Sequence, residues 1–278
     1  MVDFLVSLDA SPGPFLWIAD TAYTARLLAG GAPPWLDVAA MIAWRQQAQA
    51  LLRSSVVLLD AGVIVEAWLA DRAALRQMAF AKRGAAGALG ALLADGGLRQ
   101  HVSAVAQGLR RSFAAHPLAL VVPSPLAWVS RLGSAMGNGG GQPDEEEVED
   151  GAVEIADFLR TFGSDGIDVL ALVEDPAAAA WGPDLYELYD PVINGARHYR
   201  WAIGIDMTNV PEPATLEPPV DFVIADADGP GCRGMDVSTA LWSGKDPAAA
   251  PANGFRYLKI PADGTPEDVL TQLAKLRS

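Results

Sequence analysis

Short apolar runs alternate with longer, helix-like segments over most of this 278-residue chain. Each run ends in a polar or turn residue before a periodic segment follows, which is typical of a parallel sheet with crossover helices. Eight strands are predicted, at residues 15–19, 56–60, 118–123, 167–173, 201–206, 222–226, 237–241 and 255–260. The 237–241 segment is equally compatible with a short helix. With it, the pattern predicts a (β/α)8 TIM barrel, formed by a single domain over residues 1–278.

Helices are predicted at residues 36–53, 65–113 (in pieces broken by glycines), 145–162, 184–199 and 266–276. The last is well specified, because Thr265 supplies a cap and Pro266 a suitable first helical residue. Two further stretches interrupt the pattern. The glycine-rich run 137–143 is either a plain surface loop or a lid over the barrel, and the acidic run 144–150 favours a helix start over a metal site.

Composition excludes several classes of partner. The formal net charge of −14 disfavours nucleic acid, an acidic membrane surface and a polyanionic substrate. The single cysteine, Cys232, cannot form an internal disulfide, and neither it nor the three histidines have the spacing of a zinc site, so no metal is expected. The first residues carry acids where a signal peptide needs bases, which indicates a cytoplasmic protein. No cofactor is expected, since dinucleotide and phosphate-loop motifs are absent from the sequence.

Several strand ends are similar to one known family. They are SVVLLDA at 55–61, PSPLAW at 123–128, GIDVLALVED at 166–175, and FRYLKIP at 255–261 followed by TPEDV at 265–269. In this order they resemble the uroporphyrinogen decarboxylase family, and the third also resembles a strand end of cobalamin-independent methionine synthase, from the same superfamily. The resemblance implies a uroporphyrinogen decarboxylase-like TIM barrel and a homodimer.

The departures from this family bear directly on function. Its first strand ends in two arginines that hold substrate carboxylates, whereas residues 18–23 here are IADTAY. The family's histidine in the last strand corresponds to Lys259. The methyltransferase branches bind zinc through a His-x-Cys pair, and the matching residues 202–207 are AIGIDM. We therefore expect neither uroporphyrinogen decarboxylation nor zinc-dependent thiol methylation.

Candidate site residues follow from the rule that barrel enzymes act at the carboxyl ends of their strands. Asp60 is the first catalytic candidate, because it closes an apolar strand and matches the family's substrate-binding aspartate; helix capping is the alternative. Glu174 and Asp175 are further catalytic candidates, and only one of the two can face the barrel mouth. The expected substrate-binding residues are Asp20, Tyr23, Ser124, Trp128, Asp206, Asp226, Tyr257 and Lys259.

Lys259 should share one face of the last strand with Tyr257 and Phe255. If that face points inward, the amine can bind an acidic group of a substrate or form a Schiff base; if it points outward, Lys259 is a surface lysine.

The favoured hypothesis is a lyase-type enzyme acting on a small organic, carboxylate-bearing substrate, by decarboxylation or by C–C or C–O cleavage. Corrinoid- or folate-linked methyl transfer without zinc and a non-catalytic binding or assembly role are the alternatives.

Overall fold

A computed structural model describes residues 3–277 except 11–12, 138–141, 212–215, 228 and 230. Its strands are β1 Leu16–Ala19, β2 Val57–Asp60, β3 Leu118–Pro123, β4 Val169–Val173, β5 Ala202–Asp206, β6 Phe222–Ala225, β7 Cys232–Asp236 and β8 Phe255–Lys259. All pairings are parallel, and the strand order is β1-β8-β7-β6-β5-β4-β3-β2. The protein is therefore an α/β chain with a nearly closed, eight-stranded parallel barrel, as the alternation predicts.

The barrel closes between β1 and β2 with help from serine side chains. The Ser55 amide donates to the Leu16 carbonyl at 2.8 Å, and Ser55 Oγ accepts from the Leu16 amide at 3.0 Å. Ser54 Oγ accepts from the Ile18 amide at 3.1 Å. These bonds satisfy backbone groups of β1 on the side where its strand partner is missing.

Helices follow most of the strands. Their bounds are α1 Phe4–Asp9, α2 Thr21–Ala29, α3 Val38–Leu52, α4 Ala61–Asp71, α5 Ala73–Phe80, α6 Gly84–Leu93, α7 Gly96–Ser112, α8 Pro125–Ala135, α9 Glu145–Arg160, α10 Ala178–Trp181, a 3-10 helix Pro183–Glu187, α11 Asp190–His198, α12 Ser238–Trp242 and α13 Pro266–Arg277. Within the described residues, no helix is long and apolar enough to cross a membrane.

The helix starts show why several of these segments are helical. Asp144 caps α9 by accepting from the Glu147 amide at 2.9 Å, so the acidic run opens a helix as predicted. Thr265 Oγ1 accepts from the Asp268 amide at 3.2 Å at the start of α13. Ser124 caps α8, with proline at the first helical position.

The barrel interior is packed mainly by aromatic rings. Phe4 of α1 closes the end below the strands, and its ring centroid lies 5.2 Å from that of Phe222 and 5.9 Å from that of Trp17. A Cβ atom added to Gly204 would lie 2.0 Å from the Phe222 ring, so the glycine of β5 makes room for it. The interior is thus filled below its upper layer, and open space is left at the carboxyl ends of the strands.

Two predictions need correction or fall outside the described residues. For 237–241 the strand is wrong and the short-helix alternative is confirmed: β7 is Cys232–Asp236, and the apolar residues that follow form α12. Of the glycine-rich run 137–143, residues 138–141 lie outside the described residues, so its role as a lid stays a prediction.

Candidate active site at the barrel mouth

A cavity of about 350 Å³ opens at the carboxyl ends of the strands. Its walls are mostly apolar and include Trp17, Leu58, Val121, Ala171, Val173 and Ile224. Its polar lining consists of Thr21, Asp60, Asp206, Tyr257 and Lys259. At about 30 Å³ per water-sized group, this space suits a ligand of roughly a dozen non-hydrogen atoms.

Asp60 ends β2 and stands on the wall of this cavity. Its Oδ1 accepts from the Val63 amide at 3.2 Å, so the residue caps α4 and lines the cavity at the same time. Burial raises the pKa of Asp60 from 3.8 to about 6, an effect that the hydrogen bond from Val63 only partly opposes. The predicted helix cap is therefore confirmed, and the position on the cavity wall leaves the role of Asp60 as a site residue a prediction.

An ion pair between Asp206 and Lys259 lies on the same cavity. Lys259 Nζ is 3.3 Å from Asp206 Oδ2 and also donates to Thr208 Oγ1. Thr208 in turn donates to Asp206 Oδ1 from its amide at 3.0 Å and from its hydroxyl at 2.6 Å. The Lys259 side chain is 34% exposed while that of Asp206 is 5% exposed, so the ammonium is the part of the pair open to a ligand. The inward orientation considered for Lys259 is the one observed.

Tyr257 extends this polar group. Its hydroxyl donates to Asp206 Oδ2 at 3.0 Å, and burial together with the nearby Asp206 carboxylate raises its pKa well above 10. Tyr257 is therefore a fixed hydrogen-bond donor that holds Asp206 in place.

A further acid, Asp236, lies at the end of β7. It accepts from the Ser238 amide at 2.9 Å, and burial raises its pKa.

Two residues expected to bind substrate, Asp20 and Tyr23, instead make buried contacts within the fold. Asp20 is 2% exposed and accepts two bonds from Arg45 NH1, at 3.0 and 3.1 Å, and one from NH2 at 3.0 Å. Tyr23 is 1% exposed and packs in an apolar cluster with residues such as Leu258. Neither side chain lines the mouth cavity.

Glu174 and Ser124 belong to a separate buried cluster. Ser124 Oγ donates to Glu174 Oε1, the Tyr189 hydroxyl lies 3.1 Å from both Glu174 oxygens, and the Asp175 amide donates to Oε1 at 2.9 Å. Burial raises the pKa of Glu174 to about 7 despite these donors. Val173, the preceding residue, lines the mouth cavity, whereas Glu174 does not. Glu174, whose pKa is raised, therefore lies outside the mouth cavity.

The other predicted site residues are also away from the cavity. Asp175 is half-buried and accepts from the Ala177 amide at 2.8 Å, which stabilises the turn after β4. Trp128 is buried in α8 and lines an outer groove between helices. Asp226 is exposed. Of the expected residues, the mouth therefore unites Asp60, Asp206, Tyr257 and Lys259.

Sequence reasoning missed two partners of these residues. Thr208 follows β5 by two positions and fixes the Asp206–Lys259 pair, and a threonine just after a strand-end acid is a pattern that points to such a turn. Arg45 reaches Asp20 from the middle of α3, and nothing local in the sequence indicates that contact.

Among the described residues, no three His, Cys, Asp or Glu side chains are grouped as a metal site would require. No protein-family model matches this chain, and no curated protein matches its sequence. The barrel architecture is therefore supported by the structure. The resemblance to uroporphyrinogen decarboxylases is supported only by the short sequence segments at the strand ends.

Proposed function

We propose that this protein is a lyase-type enzyme that acts on a small organic carboxylate at the barrel mouth. The proposal is based on one observation: the Asp60 carboxyl and the Lys259 ammonium line the same, mostly apolar cavity. The order of the strand-end phrases, which resembles that of the uroporphyrinogen decarboxylase family, supports cleavage chemistry without a cofactor.

Asp60 is proposed as the general acid. A carboxyl whose pKa is about 6 still carries a proton in a fraction of molecules near neutral pH, which an ordinary aspartate does not. Cleavage of a C–C or C–O bond leaves an electron pair on one substrate atom, and protonated Asp60 supplies the proton that this pair takes up. Solvent then returns a proton to the Asp60 carboxylate.

Lys259 is proposed to bind an acidic group that the substrate retains. The buried partner Asp206 and the Thr208 hydroxyl fix the position of the amine. A Schiff base at Lys259 is disfavoured by the same contacts, because its formation needs the amine to be released from both partners. The apolar walls then strengthen the attraction by excluding water.

The test is turnover of small carboxylic, hydroxycarboxylic and oxocarboxylic acids, followed by mass spectrometry of products. Asp60→Asn should lower turnover at least 100-fold while binding is kept, and Lys259→Met should weaken binding about tenfold. Glu174→Gln, outside the cavity, is the control and should retain turnover. Unchanged turnover in Asp60→Asn overturns the role of Asp60. Binding of an acid without any turnover would instead identify a binding protein.

A further inference from the structure

The mouth cavity adjoins a second recess on the far side of Asp60. This recess has a volume of about 240 Å³ and shares Asp60, Val121 and Val173 with the mouth cavity. Its remaining charged lining residues are Glu66 of α4 and Arg131 of α8. Asp60 therefore stands between two compartments, one with Lys259 and the other with Arg131.

Arg131 is held only loosely in place. Its NH1 atom lies 3.6 Å from Glu66 Oε1, and the two side chains are 50% and 61% exposed. Exposed pairs of this kind contribute little stability, because water screens them and both side chains lose rotamer freedom. The buried partner of Lys259, in contrast, is fixed by three hydrogen bonds from Thr208 and Tyr257. Glu66 can move into solvent, whereas Asp206 cannot.

We propose that Arg131 recognises a second anionic group, so that the substrate class is a dicarboxylate with its reacting centre beside Asp60. This inference rests on the proposed function, since it places the first acidic group at Lys259. One substrate carboxylate takes the place of Glu66 beside Arg131, and the Glu66 carboxylate turns into solvent, where water screens its charge. A dianion is accepted in this way despite the acidic character of the whole chain.

The choice of a carboxylate over an ammonium group follows from geometry and charge. A guanidinium offers two parallel donors that match a carboxylate, which makes Arg131 a specific receptor. An ammonium group would need Glu66 as its partner and would place Arg131 beside a like charge. Arg131 is thus the residue that determines specificity, and Glu66 competes with the substrate carboxylate for binding to Arg131.

The experiment measures binding by calorimetry for acids of four to eight carbons. Each dicarboxylate is compared with the monocarboxylate and the ω-amino acid of equal length, for example adipate, hexanoate and 6-aminohexanoate. In the wild type the best dicarboxylate should bind about tenfold more tightly than its monocarboxylate. Arg131→Gln should remove this advantage and leave the monocarboxylate unchanged, and Glu66→Gln should increase it. Arg111→Gln, at an exposed cation in the last turn of α7 that lines neither this recess nor the groove beside it, is the matched control and should have no effect.

Other outcomes separate the two proposals. If both kinds of acid bind equally and Lys259→Met weakens binding of both about tenfold, the proposed function survives while recognition by Arg131 is refuted. Preference for the ω-amino acid, lost in Glu66→Gln, also refutes it. If the wild type binds none of the acids, both proposals fail together.

Discussion

Replacing Glu174 with glutamine should change how the stability of this protein depends on pH. The carboxyl is 2% exposed and touches Ser124, Tyr189 and the Asp175 amide. Three donors favour the ionised form, while burial opposes it, and burial has the larger effect because the pKa rises to about 7. Glutamine keeps the shape and cannot ionise.

The size of the effect follows from the two pKa values. The folded state holds the proton up to about pH 7, whereas the unfolded carboxyl loses it near 4.5. Unfolding therefore releases a proton between these values, so the free energy of unfolding falls as the pH rises. At about 1.4 kcal/mol per pH unit, the wild type loses roughly 3 kcal/mol between pH 4.5 and 7 through this group. Below pH 4.5 both states are protonated, and the dependence ends.

The assay is urea denaturation from pH 4.5 to 8.5, followed by tryptophan fluorescence. The quantity of interest is the free energy of unfolding of Glu174→Gln minus that of the wild type, since contributions from Asp60 and Asp236 cancel in it. This difference should rise by about 3 kcal/mol up to pH 7 and then stay constant. Glu187→Gln, at an exposed glutamate of the neighbouring 3-10 helix, serves as control and should show no such rise.

A difference that does not change with pH would show that Glu174 ionises at its ordinary pKa, and the argument from burial would be refuted. A difference that falls as the pH rises would mean that the three donors outweigh burial. Either result would mean that Glu174 is ionised at neutral pH.

Three further predictions follow. For the proposed reaction, kcat/KM should fall about tenfold per pH unit above pH 6, because Asp60 must be protonated; a rise would make it a base instead. Arg45→Met should lower the free energy of unfolding by about 3–5 kcal/mol in urea titrations, because Asp20 keeps a buried, unpaired charge. Adding Asp20→Asn should recover part of that loss, and no recovery would contradict the account. Gly204→Ala should cost about 1–3 kcal/mol by calorimetry, because the new methyl group meets the Phe222 ring; no change would show that the ring yields freely.

The architecture was predictable because seven of the eight strands are apolar runs with clear ends. The strand β7 was missed because its five residues, Cys232–Asp236, include an arginine, a glycine and a terminal acid. The more apolar residues just after it looked like a strand and form α12. Ser124 was expected to bind substrate, yet a serine before proline also starts a helix, and Ser124 caps α8.

Which strand-end residues face the mouth could not be predicted, and the reason is physical. In β2, β5 and β8 the last residue, Asp60, Asp206 or Lys259, itself points into the barrel. After β1 and β4 the polar residue comes one position later, so Asp20 and Glu174 point outward into buried contacts. The strands of a parallel barrel are apolar on both faces, so hydrophobic and polar residues do not alternate along them. The sequence therefore does not indicate which residues of a strand point into the barrel. A shift of one residue therefore separates a candidate catalytic acid from a structural one, and only the strand register resolves it.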